Sequence, residues 1–229
     1  LKQLGYKPKN HKLNLKPWID LQKKIKKRQH KVKIAVVGKY TNLKDSYKSL
    51  NEALVHGGIE NSADVDIQWI NSEKENNISL IKKLKGCDGI LIPGGFGIRG
   101  INGKINAIKY ARENNIPFFG ICLGMQLAVI EIAQNVLKIK NAHSSEFKKT
   151  TKSVVGLMTE WVNKNKIEKR DKNSDKGGTM RLGAYKAVLK KNSKIFSIYK
   201  NKVISERHRH RYEVNQKFLS KFENKGYYF

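Results

Sequence analysis

The chain has 229 residues, 39% of them hydrophobic, and a formal net charge of +28. That length allows one large domain or two small ones with a sizeable core. Lysine is spread along the chain and not gathered in one motif, so the charge reads as a compositional habit bearing on solubility, and neither nucleic acid nor a membrane surface is the expected partner. Two cysteines, Cys87 and Cys122, exclude a disulfide framework and a cysteine-based zinc site and favour a reducing compartment. No apolar run approaches the ~18 residues of a membrane span and no signal core is present, so the cytoplasm is the expected location.

Residues 1–31 are polar and basic, with Pro8, Pro17 and a Lys/Arg run over 23–28. Trp18, Ile19, Leu21 and Ile25 fit a short amphipathic helix that docks on a neighbour; a plain linker fits the composition equally well. Residues 32–37 predict the first strand, ending at Gly38. A polar loop with Asp45 follows. Tyr47, Leu50 and Leu54 then predict a helix that stops at Gly57-Gly58. The alternating residues 65–70 predict a second strand, 78–84 a helix, and 89–93 a buried strand. Ile101, Ile105 and Ile108 mark a helix, 118–121 a strand, and 125–136 a well-buried helix. Beyond this, 154–161 is expected to hold a strand, 163–176 an exposed charged loop, and 185–189 a strand. The alternation of strand and helix implies an α/β fold, doubly wound, with a mainly parallel sheet and helices on both faces. Ligands in such sheets bind at the carboxyl ends of the strands.

Two glycine turns fall at those ends. The first is Pro93-Gly94-Gly95-Phe96-Gly97 and the second is Gly120-Ile121-Cys122-Leu123-Gly124. A reactive side chain flanked by glycines between a strand and a helix is the layout of a nucleophile elbow. Free cysteines are often core residues, which is the reading for Cys87. Cys122 instead precedes a helix N-terminus, a setting expected to lower its pKa, and is taken as a nucleophile. Backbone N–H groups of Gly95 and Leu123 are the expected donors to a substrate oxyanion. A thiol needs a base, and His210 with Glu213 invites that role. The segment Arg207-His208-Arg209-His210-Arg211 reads better as substrate-binding or structural, with arginine as the anion ligand and the imidazole pKa values depressed by the arginines.

The Cys turn through Gln126 and the Pro-Gly-Gly-Phe turn together resemble a class I, triad-type glutamine amidotransferase. More narrowly, residues 177–183 (Gly-Gly-Thr-Met-Arg-Leu-Gly) and 206–215 (Glu-Arg-His-Arg-His-Arg-Tyr-Glu-Val-Asn) resemble the glutaminase domains of CTP synthases. So do Val37-Gly-Lys-Tyr40, Tyr47-Lys-Ser49, Glu52-Ala-Leu54, residues 142–147 and Thr159-Glu-Trp161. The resemblance implies a flavodoxin-like fold over 32–229, with 1–31 tethering it to a synthase domain. It implies that L-glutamine is hydrolysed through a thioester on Cys122, and that the ammonia aminates ATP-activated UTP to give CTP, a step of pyrimidine nucleotide synthesis. Gly95 and Leu123 match the oxyanion donors. Gln126, Glu146 and Arg211 match glutamine-binding positions, and Phe96 walls the pocket. An α-carboxylate suits Arg211 and an α-ammonium suits Glu146.

The resemblance further implies no cofactor or metal in this domain, ATP and Mg in the synthase domain, a homotetramer, and GTP as activator. Two departures bear on it. The family's catalytic His and Glu lie in a His-Pro-Glu motif, which occurs nowhere in the 229 residues, and no phosphate-binding Gly-x-x-x-x-Gly-Lys-Ser/Thr loop is present. The expectation is that the amidotransferase domain lacks its C-terminal part here and that the motif lies past Phe229. The alternative is a catalytically inactive amidotransferase-like domain with a regulatory or assembly role.

Overall fold

The computed structural model describes residues 2–5, 14–39, 41, 44–157, 160–163, 166–169 and 180–229. The β-branched run at the start of the domain forms strand β1 (His30–Gly38). It pairs in parallel with β2 (Ala63–Asn71) on one side and β3 (Gly89–Ile92) on the other, and β3 pairs in parallel with β4 (Phe118–Gly120). The order is β2-β1-β3-β4. Parallel neighbours cannot be joined by hairpins, so each connection carries a helix: α2 (Lys48–Glu60), α3 (Asn77–Leu84) and α4 (Ile101–Glu113), with α5 (Leu123–Asn135) following β4. The chain steps outward from β1 to β2 and then to the other side at β3. The carboxyl ends of β1 and β3 therefore flank a topological switch point, where open α/β sheets bind ligands.

Period-2 alternation separates the two faces of this sheet. Ala35, Val37, Ile70, Ile90 and Ile92 pack into one core with Leu80 and Leu84 of α3, Ile101 and Ile108 of α4, and Leu123 and Leu127 of α5. The opposite face carries Val36, which is in register with Trp69 and Leu91. Tyr47 stacks on Trp69 there at 5.2 Å, and α2 covers Val65 of the same face. Phe119, in register with Leu91, is 58% exposed, and no strand pairs with the far edge of β4 among the described residues.

Three expectations are corrected. The second helix does not stop at Gly57-Gly58 but runs through both to Glu60. A Cβ on Gly58 would stand 2.7 Å from both the Ala63 carbonyl oxygen and Val65 Cγ2, so this glycine serves close helix–strand approach and not termination. The strand expected over 154–161 is divided into β6 (Ser153–Leu157) and β7 (Glu160–Asn163), with 158–159 outside the described residues. The loop expected over 163–176 contains β8 (Lys166–Lys169), antiparallel to β7. A hairpin closes its hydrogen bonds locally and needs no apolar run, so charge content was a poor guide. Residues 170–176, with Gly177 to Thr179 of the glycine motif, lie outside the described residues.

A second layer follows. Strand β5 (His143–Ser144) pairs parallel with β6, and β11 (Tyr212–Val214) pairs antiparallel with it. Strands β9 (Arg181–Val188) and β10 (Val203–His210) form an antiparallel pair enclosing α6 (Lys194–Tyr199). The last helix, α7 (Leu219–Glu223), sends Phe222 into the main core. At the other end, α1 (Lys16–Lys26) is tied by Lys24–Glu60 and Arg28–Asp64, both at 2.7 Å. It buries none of its residues, and Trp18 is 68% exposed.

Candidate active site

Strand β4 ends at Gly120, and α5 begins at Leu123. Cys122 takes the bend between them with φ 53° and ψ −104°. For a residue with a Cβ this is a sparsely populated conformation costing on the order of 1–3 kcal/mol, held in place by its surroundings. Ile121 N–H donates to the Ile92 carbonyl at 2.9 Å, and Gly124 N–H donates back to the Ile121 carbonyl at 2.9 Å. The glycines flanking the cysteine are steric necessities. A Cβ on Gly120 would stand 2.6 Å from the Met125 nitrogen, and one on Gly124 would collide with the Ile92 carbonyl.

The thiol departs from expectation. Its pKa is raised, not lowered: burial is the largest cause and the Glu146 carboxylate adds to it, outweighing the lowering from the Leu123 backbone N–H. A helix N-terminus contributes only a partial charge, and here desolvation is the stronger effect. Cys122 therefore rests as the thiol and needs a base to become a nucleophile. No histidine is hydrogen-bonded to it among the described residues. Cys87 is buried, packs in the core and has its pKa raised by burial.

The first glycine turn lies against the second. A Cβ on Gly94 would touch Cys122 Cβ at 3.5 Å, and one on Gly95 would touch Leu123 Cδ2 at 3.6 Å. The Phe96–Gly97 peptide is held at both ends: Lys39 Nζ donates to the Phe96 carbonyl, and Gly97 N–H donates to Glu146 Oε1 at 3.2 Å. Phe96 itself is 57% exposed. The far end of the turn is tied by Arg99, which donates to both carboxylate oxygens of Glu73 at 2.6 and 2.9 Å. Sequence reasoning missed Lys39, Glu73 and Arg99. Lys39 lay inside a quoted motif, but no local signal marks Glu73 and Arg99, which are 26 residues apart.

The remaining candidates come from α5 and from the segments that follow it. Gln126 is buried on α5, and its Nε2 donates to the Tyr212 carbonyl at 3.0 Å, tying α5 to β11. Arg211 lies between β10 and β11 with a buried Nε that has no hydrogen-bond partner among the described residues. Glu146 acts electrostatically on both Cys122 and Tyr212, so Cys122, Glu146, Gln126 and the 211–212 segment share one neighbourhood. The histidines behave differently from the reading of their sequence neighbours. His208 Nδ1 and His210 Nε2 are 2.8 Å apart, Glu213 lies 3.8 Å from His210 Nε2, and Arg181 pairs with Glu213 at 2.6 Å. Both imidazole pKa values are lowered mainly by burial, with Arg181 as the arginine that contributes. Strand alternation turns Arg207 and Arg209 to the exposed side. A cleft of about 490 Å³ lined by Ser72, Asn76, Ile101, Asn106, His143 and Phe147 adjoins the turn, but Cys122 does not line it.

The family model of class-I glutamine amidotransferases matches residues 42–227. The chain belongs to this family. Among curated proteins, this amidotransferase is 57% identical over 218 residues to the CTP synthase of Pelagibacter ubique and 54% identical over 213 residues to that of Nitrobacter winogradskyi. These alignments cover 94% and 93% of the chain but only 40% and 39% of the two relatives. Among solved structures, the Trypanosoma brucei CTPS glutaminase domain with bound acivicin superposes with a TM-score of 0.73 at 41% identity. That match covers 85% of this amidotransferase and 72% of the solved chain. The parallel sheet with helices on both faces is the fold of that domain. No helix among the described residues is long and apolar enough to cross a membrane, and no group of three or more His, Cys, Asp or Glu among them is placed to hold a metal ion.

Proposed function

We propose that this domain is the glutaminase of a CTP synthase. It releases ammonia from L-glutamine for a synthase domain that aminates ATP-activated UTP. The observation that carries this reading is the strained elbow presenting Cys122 against the first glycine turn, in a chain this similar to CTP synthases over almost its whole length. Once a base removes its proton, Cys122 Sγ attacks the side-chain amide carbon of glutamine. The carbonyl oxygen takes the negative charge, opposite the backbone N–H groups of Gly95 and Leu123. Collapse breaks the C–N bond, the nitrogen leaves as ammonia after protonation, and a thioester remains on Cys122. Water then attacks the thioester, giving glutamate and restoring the thiol.

The raised pKa of Cys122 makes the base indispensable, and the family's His-Pro-Glu motif is the group suited to supply it. Substrate binding follows from charge. Arg211, whose buried Nε has no hydrogen-bond partner among the described residues, suits the α-carboxylate, while Glu146 suits the α-ammonium. Gln126 shapes the pocket floor by joining α5 to Tyr212, and Phe96 stands at its mouth. ATP and Mg belong to the synthase domain, and the homotetramer and GTP activation are part of the same proposal. The test is glutamate release by the intact polypeptide beside Cys122→Ala. The variant should lose glutamine hydrolysis while ammonia-dependent CTP formation persists. Loss of both activities in a folded protein would refute the division of labour.

A further inference from the structure

The turn at residues 94–100 is seated on the loop between β2 and α3. Gly100 and Gly103 press against Ser72 so closely that a Cβ at either position would overlap Ser72 Oγ or the Ser72 carbonyl. Beside this contact stand three cations. Lys39 holds the Phe96 carbonyl, Arg99 lies at the end of the turn, and Lys104 in the first turns of α4 is 1% exposed. Glu73 takes Arg99 at both oxygens and acts on Lys104. Burial is the main cause holding the Lys104 pKa down to about 8; Lys39 lowers it further and Glu73 opposes both. Of two further carboxylates nearby, Glu146 is engaged with Gly97 N–H, and Glu75 with Ser79 and Lys83.

We propose that Glu73 is a positioning residue for glutamine hydrolysis: by gathering Arg99 and balancing the buried Lys104, it fixes the 94–100 turn so that Gly95 N–H faces the oxygen of the Cys122 adduct. This rests on the glutaminase reading. Glu73 touches no reacting atom. Its effect is the distance and aim of a donor carried by the turn that Arg99 ends and that the buried Lys104 adjoins. Lys104 creates the need for the carboxylate, so removing both charges should cost less than removing Glu73 alone.

The experiment compares wild type, Glu73→Gln, Lys104→Met and the double variant in the intact polypeptide. Glu73→Gln keeps the shape but loses the charge and one of the two acceptors that Arg99 uses. It should lower kcat for glutamine by about tenfold or more, as expected of a misplaced oxyanion donor, with KM within about threefold. Lys104→Met should stay within about threefold of wild type, and the double variant should recover part of the lost kcat, the share owed to Lys104 and not to Arg99. Backbone hydrogen exchange over residues 94–100 should rise in Glu73→Gln and fall again in the double variant, a readout that does not depend on turnover. A Glu73→Gln kcat within twofold of wild type, a double variant as slow as Glu73→Gln, or a Glu73→Gln protein that fails to fold each overturns the proposal. A wild type without Cys122-dependent hydrolysis overturns the glutaminase reading instead, while the exchange measurement still decides the role of Glu73.

Discussion

Gly124→Ala tests the elbow most directly, because it adds one methyl group two residues from the nucleophile. The new Cβ would stand 2.9 Å from Ile92 Cβ and 3.0 Å from the Ile92 carbonyl carbon, with the carbonyl oxygen nearer still. Carbon atoms in contact prefer about 3.5–4.0 Å, so α5 must retreat from β3 by about 1 Å. Neither side yields easily. The Ile92 carbonyl already accepts from Ile121 N–H at 2.9 Å, and Ile92 is fully buried. Overpacking of this kind costs about 1–3 kcal/mol. For a chain of this size, that lowers Tm by roughly 2–12 °C at about 2–4 °C per kcal/mol. The functional cost should be larger in proportion, since the retreat carries Cys122 Sγ and Leu123 N–H away from Gly94 and Gly95. A displacement of about 1 Å is enough for a loss of ~10²-fold in kcat. The assay is glutamate release with kcat and KM separated, beside thermal unfolding and alkylation of Cys122 by iodoacetamide. A Gly124→Ala protein with wild-type kcat and Tm would show that α5 and β3 are not in the contact described, and the account of the elbow would fail.

Arg211→Ala should weaken glutamine binding by about 1.5–3 kcal/mol through loss of a charge-assisted partner; an unchanged affinity measured by calorimetry would remove Arg211 from the pocket. Glu131 is fully buried and accepts from Arg112 Nε and Nη2 at 2.8–3.1 Å and from Asn135 Nδ2 at 3.0 Å. Arg112→Met should therefore destabilise the domain by about 3–5 kcal/mol in urea unfolding, whereas pairing it with Glu131→Met should recover much of that loss. A single variant as stable as wild type would contradict the pair. The raised pKa of Cys122 predicts that its alkylation by iodoacetamide accelerates only above the ordinary thiol range, because the thiolate is the reacting form and burial disfavours it. Glu146→Gln should shift that midpoint downward, since the carboxylate holds the thiol protonated; a midpoint unmoved or raised would separate Glu146 from Cys122.

The sequence by itself determined the parts whose physics is local. Hydrophobic periodicity marked β1, β2, β3, α4 and α5 to within a few residues, because a period of two or of 3.6 is written in neighbouring positions. The turn around Cys122 announced itself because only glycine tolerates the close approach of backbone at Gly120 and Gly124. Gly57-Gly58 shows the limit of that rule. A glycine pair reads as a stop, yet Gly58 lies in the helix because Ala63 and Val65, distant by several residues and a turn, come to rest against it. The state of Cys122 was likewise out of reach. The helix N-terminus is visible in sequence, but the burial that overrides it belongs to the packed core, and Glu146 joins from 24 residues away. The direction of the strand 206–210 decided which of its arginines face solvent, and Arg181, on the partner strand, supplied the charge that the sequence had assigned to them. Only the tertiary structure placed Lys39, Glu73, Arg99 and Lys104 around one turn. Charge pairing over such separations leaves no periodic trace, because each partner is set by how the strands and helices close on one another.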